Sequence, residues 1–282
     1  MKVLLTGSSG FIGSALQTEW KNRYELFAPS HRELDLLDPA SVEDYLRNGA
    51  FDVIVHTANT NDVVHRQRAD HQLEFNLRMF CNLERCSNLY GKMYYFGSGA
   101  EYDMRHYIPK MKESYFGTHI PDDPYGFSKY LMSKLAGQSD NIYDFRLFGV
   151  YGPGEEWRRR FISNMIYQAL NGSEMRMDRN MMFDYLYIDD LIIIMEWFLN
   201  QEPLYHHYNI CSGRTVSLRD LADIIKEETG VNAEIRMNSE DWKSEYSGDN
   251  SRMIAETGGI ALTPMRLSIR EMMNYYKTNG FR

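Results

Sequence analysis

Three cysteines in 282 residues are too few, and odd in number, for a disulfide framework. Cys81, Cys86 and Cys211 also lack the spacing of a metal site, so they read as buried thiols of a reducing compartment. Long apolar runs are missing as well, which excludes a helical membrane span. The most apolar helical candidate, Leu191 to Leu199, opens after Asp189-Asp190 and stops at Asn200, as a core helix would. No cleavable leader precedes Val3-Leu4-Leu5, an arrangement expected of a cytoplasmic protein. Basic charge is in short supply: 31 Lys and Arg stand against 39 Asp and Glu, and the net charge of -8 argues against a general nucleic-acid binder. Arg158-Arg159-Arg160 is the one basic cluster, either a solvated patch or a contact to a phosphorylated small ligand. No grouping suits a metal, and His206-His207 has no companions. Internal repeats and low-complexity segments are absent too. A chain of this length, 43% apolar, can bury one large domain or one domain carrying a smaller lobe.

What is present is an alternation. Short apolar strands at Lys2–Thr6, Tyr24–Ala28, Phe51–Thr57, Lys92–Gly97 and Ile142–Leu147 are separated by helical patterns at Phe11–Trp20, Ser41–Asn48, Leu73–Asn88 and Tyr125–Ser139. That rhythm predicts right-handed crossovers and a mainly parallel sheet, an α/β fold of doubly wound, Rossmann type. It breaks after Gly149. The turn at Tyr151-Gly152-Pro153-Gly154, a helix over Phe161–Leu170 and an amphipathic helix over Leu218–Thr229, capped by Ser217 and stopped by Gly230, point to a smaller C-terminal lobe. Leu186–Leu199 and Tyr208–Ile210 read as returns to the main body. The expected division is 1–150 with a contribution from about 184–212, against 151–183 and 213–282.

Thr6-Gly7-Ser8-Ser9-Gly10-Phe11-Ile12-Gly13 lies between the first strand and the first helix, where a pyrophosphate-binding turn belongs. Gly7 permits the tight turn, Gly10 lets backbone approach the phosphates, and Gly13 lets helix and strand pack closely. The helix start supplies N–H groups and positive potential. An acidic residue at the end of the second strand would hold the ribose hydroxyls of NAD; basic or small residues favour the extra phosphate of NADP. Here Ser30-His31-Arg32 makes Arg32 the 2'-phosphate ligand with Ser30 and His31 in support, although Glu33 stands close by. NADP is therefore the expected cofactor and NAD the alternative.

Tyr125 and Lys129, four residues apart at the start of a helix, share one face. Positive charge beside a phenol favours the phenolate, so this tyrosine can exchange a proton with a carbinol or carbonyl oxygen. The lysine can also hold the nicotinamide ribose.

These strings, taken in order, resemble the extended short-chain dehydrogenase/reductase family, also called the NAD-dependent epimerase/dehydratase family. The resemblance continues through Asp52-Val53-Ile54-Val55-His56-Thr57-Ala58, Asn76, Arg146-Leu147-Phe148-Gly149-Val150-Tyr151-Gly152-Pro153, Asp184 to Asp190 and Tyr208 to Gly213, followed by Ser217-Leu218. It implies Tyr125 as the catalytic acid/base, Lys129 as its partner, and cofactor contacts at Gly7, Ser9, Gly10, Phe11, Ile12, Gly13, Thr57, Ala58, Asn76 and Lys129. The family places a serine or threonine after the strand ending here at Phe96. Gly99 stands at that position, and Ser98, one residue early, is the candidate. Glu33-Leu34-Asp35-Leu36-Leu37-Asp38 looks like the branch that reduces 4-keto nucleotide sugars with NADPH. The resemblance then implies reduction of a 4-keto nucleotide-diphosphate sugar, with or without epimerisation, by a homodimer. Arg160, Asn164, Arg179 and Arg252 are the candidate substrate contacts, although Phe183 replaces the arginine usual before the aspartate matched by Asp184. An NAD-dependent nucleotide-sugar epimerase and a non-catalytic dinucleotide-binding protein are the alternatives.

Overall fold

The computed structural model describes residues 1–60, 71–172, 174–242 and 245–281. Its chain divides into two compact units. The first comprises Met1–His106, Glu113–Leu147 and Met195–Asn209; the second comprises Tyr107–Lys112, Phe148–Ile194 and Ile210–Arg282.

The first unit is built on a sheet of β1 (Lys2–Thr6), β2 (Glu25–Phe27), β3 (Val53–His56), β4 (Lys92–Ser98), β5 (Ile142–Leu147) and β9 (His207–Ile210), in the order β2-β1-β3-β4-β5-β9. The ladders from β2 through β5 are parallel, as the alternation predicts. Because the chain leaves β1 toward β2 and then crosses to β3, the carboxyl ends of β1 and β3 flank a switch point, where ligands of such sheets bind. Both faces are covered, so the strands are nearly continuous runs of apolar residues. Side chains of one strand alternate between faces. Met93 and Tyr95 join Leu4, Ile54, Phe80, Leu83, Met132 and Ile142 in a core shared with α3 (Gln72–Glu84) and α4 (Pro124–Ala136). Tyr94 turns the other way, toward Phe145 and Phe198 at centroid distances of 5.0 and 6.5 Å. Beside that face, Trp20 at the end of α1 (Phe11–Trp20) donates its indole N–H to Glu196 at 3.1 Å.

Local chemistry sets the helix ends. Asp38 accepts from the Ala40 N–H at 3.0 Å and Pro39 opens α2 (Pro39–Gly49). Asp123 accepts from the Gly126 N–H at 2.8 Å and Pro124 opens α4. The helix expected to reach Asn88 ends instead at Glu84. Cys86 leaves helical geometry, and the Ser87 carbonyl of the short turn that follows accepts from the Asn141 amide at 2.9 Å.

The second unit contains a sheet of β6 (Gly149–Tyr151), β8 (Met182–Tyr187) and β10 (Thr215–Ser217), in the order β10-β8-β6, and a parallel pair of β7 (Met175–Met177) and β11 (Ile235–Met237). Its helices include α5 (Phe161–Leu170), α7 (Leu218–Thr229), α8 (Ser251–Thr257) and α9 (Met265–Asn279). The expected return to the main body at 184–212 is therefore divided. Met195–Asn209 belongs to the first unit, whereas Leu186 lies in β8 of the second, and α6 (Ile188–Leu199) passes from one to the other. In α7, Ser217 accepts from the Asp220 N–H at 3.0 Å, and Gly230 closes the helix at a left-handed φ of 69°. Replacing Ser217 by alanine strands that N–H, and urea unfolding should register a loss of about 1 kcal/mol. An unchanged midpoint would mean that another group caps α7.

Candidate active site

At the end of β1 the chain turns at Gly7, whose φ of 74° suits glycine, and the Gly10 N–H closes the turn on the Gly7 carbonyl at 3.0 Å. A Cβ on Gly7 would meet the Ala58 nitrogen at 2.5 Å, and one on Gly13 would meet the Gly7 carbonyl oxygen at 2.2 Å. The turn, the first helix and the end of β3 are thus packed backbone to backbone. Thr57 holds the same junction by donating its hydroxyl to the Thr6 carbonyl at 2.7 Å. Gly10, the N-cap of α1, offers no side-chain cap, and the first turn, with Phe11 and Ile12, carries no acidic residue. Ser9 and Gly10 are exposed. An uncapped helix start with no carboxylate near it fits a pyrophosphate, which would take the open N–H groups.

Asn76 spends its amide on Thr60, accepting from its N–H at 2.8 Å and donating to its carbonyl at 2.9 Å. It holds the segment after β3 in place. Beyond β2, Glu33 folds back and accepts from the Ser30 N–H at 2.7 Å. His31 lies 3.8 Å from Asp35. Arg32 is exposed, with no ion-pair partner among the described residues.

Tyr125 and Lys129 lie in the first two turns of α4. The Lys129 ammonium, 3% exposed as a residue, donates to the Phe96 carbonyl at 2.9 Å and sits 5.8 Å from the Tyr125 ring centroid. Burial pushes its pKa down to about 8, against the pull of Glu101 and Asp144. Strand β4 continues past Phe96 to Ser98, so Ser98 is its last residue. The Ser98 hydroxyl oxygen accepts from the Ala100 N–H at 3.2 Å, which leaves the hydroxyl proton to be donated elsewhere. A Cβ on Gly126 would lie 2.8 Å from the Ala100 carbonyl oxygen, so the Tyr125 turn is seated directly on the segment after Ser98.

Beneath this pair lies a buried charge network that the motifs do not announce. Arg146 is fully buried. Its Nε donates to Glu101 at 2.8 Å and Asp144 at 2.9 Å, and its other nitrogens donate to the Tyr102 hydroxyl at 2.9 Å and the Ser133 hydroxyl at 2.8 Å. Ser133 in turn donates to Asp144 at 2.6 Å. The signal was present in β5: Asp144 and Arg146 occupy one face of an otherwise apolar strand, and charges there must be paired.

The candidate substrate residues all belong to the second unit. Arg160 is the exposed N-cap of α5, and its charge acts on buried Glu155. Asn164 accepts from Gln168 at 2.6 Å and donates to the Arg158 carbonyl at 3.3 Å. Arg179 pairs with Asp178 at 3.2 Å. Arg252 is half-buried on α8. Phe183 stacks on Tyr185 at 4.5 Å, in place of the basic group expected there. At the start of α6, Asp190 accepts from the Thr263 hydroxyl at 2.7 Å.

The model of the NAD dependent epimerase/dehydratase family matches residues 3–211. The chain belongs to that family. It is accordingly an NAD(P)-dependent enzyme. Among its relatives, GDP-6-deoxy-D-mannose reductase of Pseudomonas aeruginosa is 24% identical over 305 residues, covering 98% of this chain and 97% of the relative. ADP-L-glycero-D-manno-heptose-6-epimerase of Cupriavidus pinatubonensis is 24% identical over 263 residues, covering 80% and 77%. A solved structure of RMD from Pseudomonas aeruginosa, complexed with NADPH, shares the fold at a TM-score of 0.80 and 21% identity, covering 99% of this chain and 98% of that one. Other structures of the same fold were solved with NAD.

Glu155 supplies a pH test in the second unit. It is buried, accepts from the Ser163 hydroxyl, and burial raises its pKa from 4.5 to about 7. Between those values the folded state holds a proton that the unfolded chain releases, so this contribution is full below 4.5 and is lost as pH rises through about 7. Melting temperature should fall across that window, and Glu155→Gln should flatten the fall. Parallel profiles for the two proteins would show that Glu155 does not titrate there.

Proposed function

We propose that this enzyme reduces the ketone of a 4-keto nucleotide-diphosphate sugar, using NADPH. The observation that carries the reading is the Tyr125–Lys129 pair, seated on the end of β4, with an uncommitted Arg32 guanidinium beyond β2. Glu33 is turned onto the Ser30 N–H rather than outward, which removes the nearest candidate for a ribose-binding carboxylate. Arg32 is then the group suited to a 2'-phosphate, with a fork of donors that matches phosphate oxygens.

The turn from Gly7 to Gly13 and Arg32 would hold NADPH, which would supply the hydride for the sugar carbon. Tyr125 gives its phenolic proton to the sugar oxygen as charge develops there. Lys129, held by the Phe96 carbonyl, stabilises the resulting phenolate with its ammonium and has further protons for the ribose hydroxyls. Ser98 donates to the same sugar oxygen.

Affinities for NADPH and NADH, measured at one ionic strength, test the cofactor assignment. NADPH should bind more tightly, and Arg32→Ala should cut that preference on the order of tenfold, the size of a lost charge-assisted hydrogen bond. NAD retained through purification, or a preference indifferent to Arg32, would instead favour the epimerase. Tyr125→Phe tests the acid: turnover of 4-keto nucleotide sugars should fall roughly 10²- to 10⁴-fold with NADPH affinity unchanged. Retained turnover would remove Tyr125 from the mechanism.

A further inference from the structure

Under the Tyr125–Lys129 pair, two carboxyl groups meet in the space that Gly97 leaves empty. An ideal Cβ on Gly97 would lie 2.1 Å from Asp144 Oδ1 and 2.3 Å from Glu101 Oε1, which bounds the separation of those oxygens at 4.4 Å. Arg146 Nε serves Glu101 Oε2 and Asp144 Oδ2 together. Ser133 donates to Asp144 Oδ2, and the Ser98 N–H donates to Glu101 Oε1 at 2.8 Å. Asp144 Oδ1 is buried with no donor among the described residues. Two ionised carboxylates this close repel, and an acceptor without a donor costs about 1–3 kcal/mol. One proton between them removes both penalties.

We propose that Glu101 and Asp144 share a single proton, carried on Glu101 Oε1 and donated to Asp144 Oδ1, and that this acid pair sets the counter-charge felt by Lys129. Both are positioning residues, and the functional half of the proposal rests on reading Tyr125–Lys129 as the reacting pair. With one proton held, the pair carries one negative charge, which Arg146 matches. The Lys129 ammonium then keeps its pull on the Tyr125 phenol. Losing the proton would add a second negative charge and turn that pull inward.

Other ionisable groups face the pair from each neighbouring element. Tyr95 lies on β4, Tyr102 on the turn after it, Arg146 on β5 and Lys129 with Tyr125 on α4. From β9, His207 Nδ1 stands 3.9 Å from Asp144 Oδ2. Burial and the Asp144 charge drive the Glu101 carboxyl well above the usual carboxylate range, against the pull of Arg146.

Infrared difference spectra of the whole protein without cofactor test the proton directly. Near neutral pH the wild type should show the carbonyl band of a protonated carboxyl, shifted in D₂O, lost in Glu101→Gln and kept in Glu155→Gln. A wild type without that band, or a band unaffected by Glu101→Gln, overturns the proposal. Should Glu101→Gln not fold, the wild-type band decides: it must persist well above neutrality, and loss near the ordinary glutamate value of about 4.3 overturns the assignment.

The pH profile of NADPH affinity reads the effect on Lys129. Asp144→Asn, which removes the charge, should move the alkaline fall in affinity down by about one pH unit. Glu101→Gln, which mimics the protonated acid, should barely move it. A purely structural role would weaken binding at every pH without moving the profile, and equal shifts in both variants would mean that both groups are charged. Failure to bind NADPH at all would sink the proposed function, while the infrared band would still decide where the proton is.

Discussion

A guanidinium held away from water under the helix of Tyr125 and Lys129 has to be answered on every side. Arg146 is always charged, and leaving it unpaired in a dry interior would cost more than a domain's entire stability. Its donors therefore dictate the surroundings: Glu101 after β4, Asp144 two residues back on the same strand, Ser133 on α4 and the Tyr102 hydroxyl. These partners tie β4, β5 and α4 together at one end of the sheet. The catalytic candidates lie on those same elements, so the network that satisfies one charge also fixes the height and rotation of the helix carrying Tyr125 and Lys129.

The cofactor side is organised by a different constraint, the absence of side chains. At Gly7 and Gly13 the backbone of the turn, the first helix and the end of β3 come closer than any Cβ allows. Nothing charged is needed there, because an uncapped helix start is itself positive. One end of the first unit's sheet thus serves two roles by separate means. Close packing shapes the turn at β1 and β3, and paired charges tie β4 to β5.

The fold was largely legible because its signals are local. Glycine spacing after a strand, periodic helices and the caps at Asp38, Asp123 and Ser217 each depend on a few neighbouring residues. The Tyr125–Lys129 pair was legible for the same reason, being one helical turn apart. Arg146 could be read as part of a motif, but not as the centre of a network, because Glu101 is 45 residues away and meets it only through β4–β5 pairing. The breaks were missed on similar grounds. The turn that follows α3 is held by an Asn141 side chain far along the chain, and the division of 184–212 depends on which sheet accepts β8. Asn76 shows a further link the sequence does not announce, its amide bridging the N–H and carbonyl of Thr60, 16 residues away.

Lys129 stands at the β4 side of this end of the sheet. A lysine in water would hold its proton far above working pH and would be too screened to act strongly on a phenol a few ångströms away. Burial strengthens its field but weakens its hold on the proton, and the nearby carboxyl groups restore part of that hold, the balance settling at about 8. Too little negative charge would leave a neutral amine, which cannot stabilise a phenolate. Too much would cancel the field that Lys129 places on Tyr125. A single negative charge matched by Arg146 lies between these limits, and a buried pair with one proton is a compact way to maintain it.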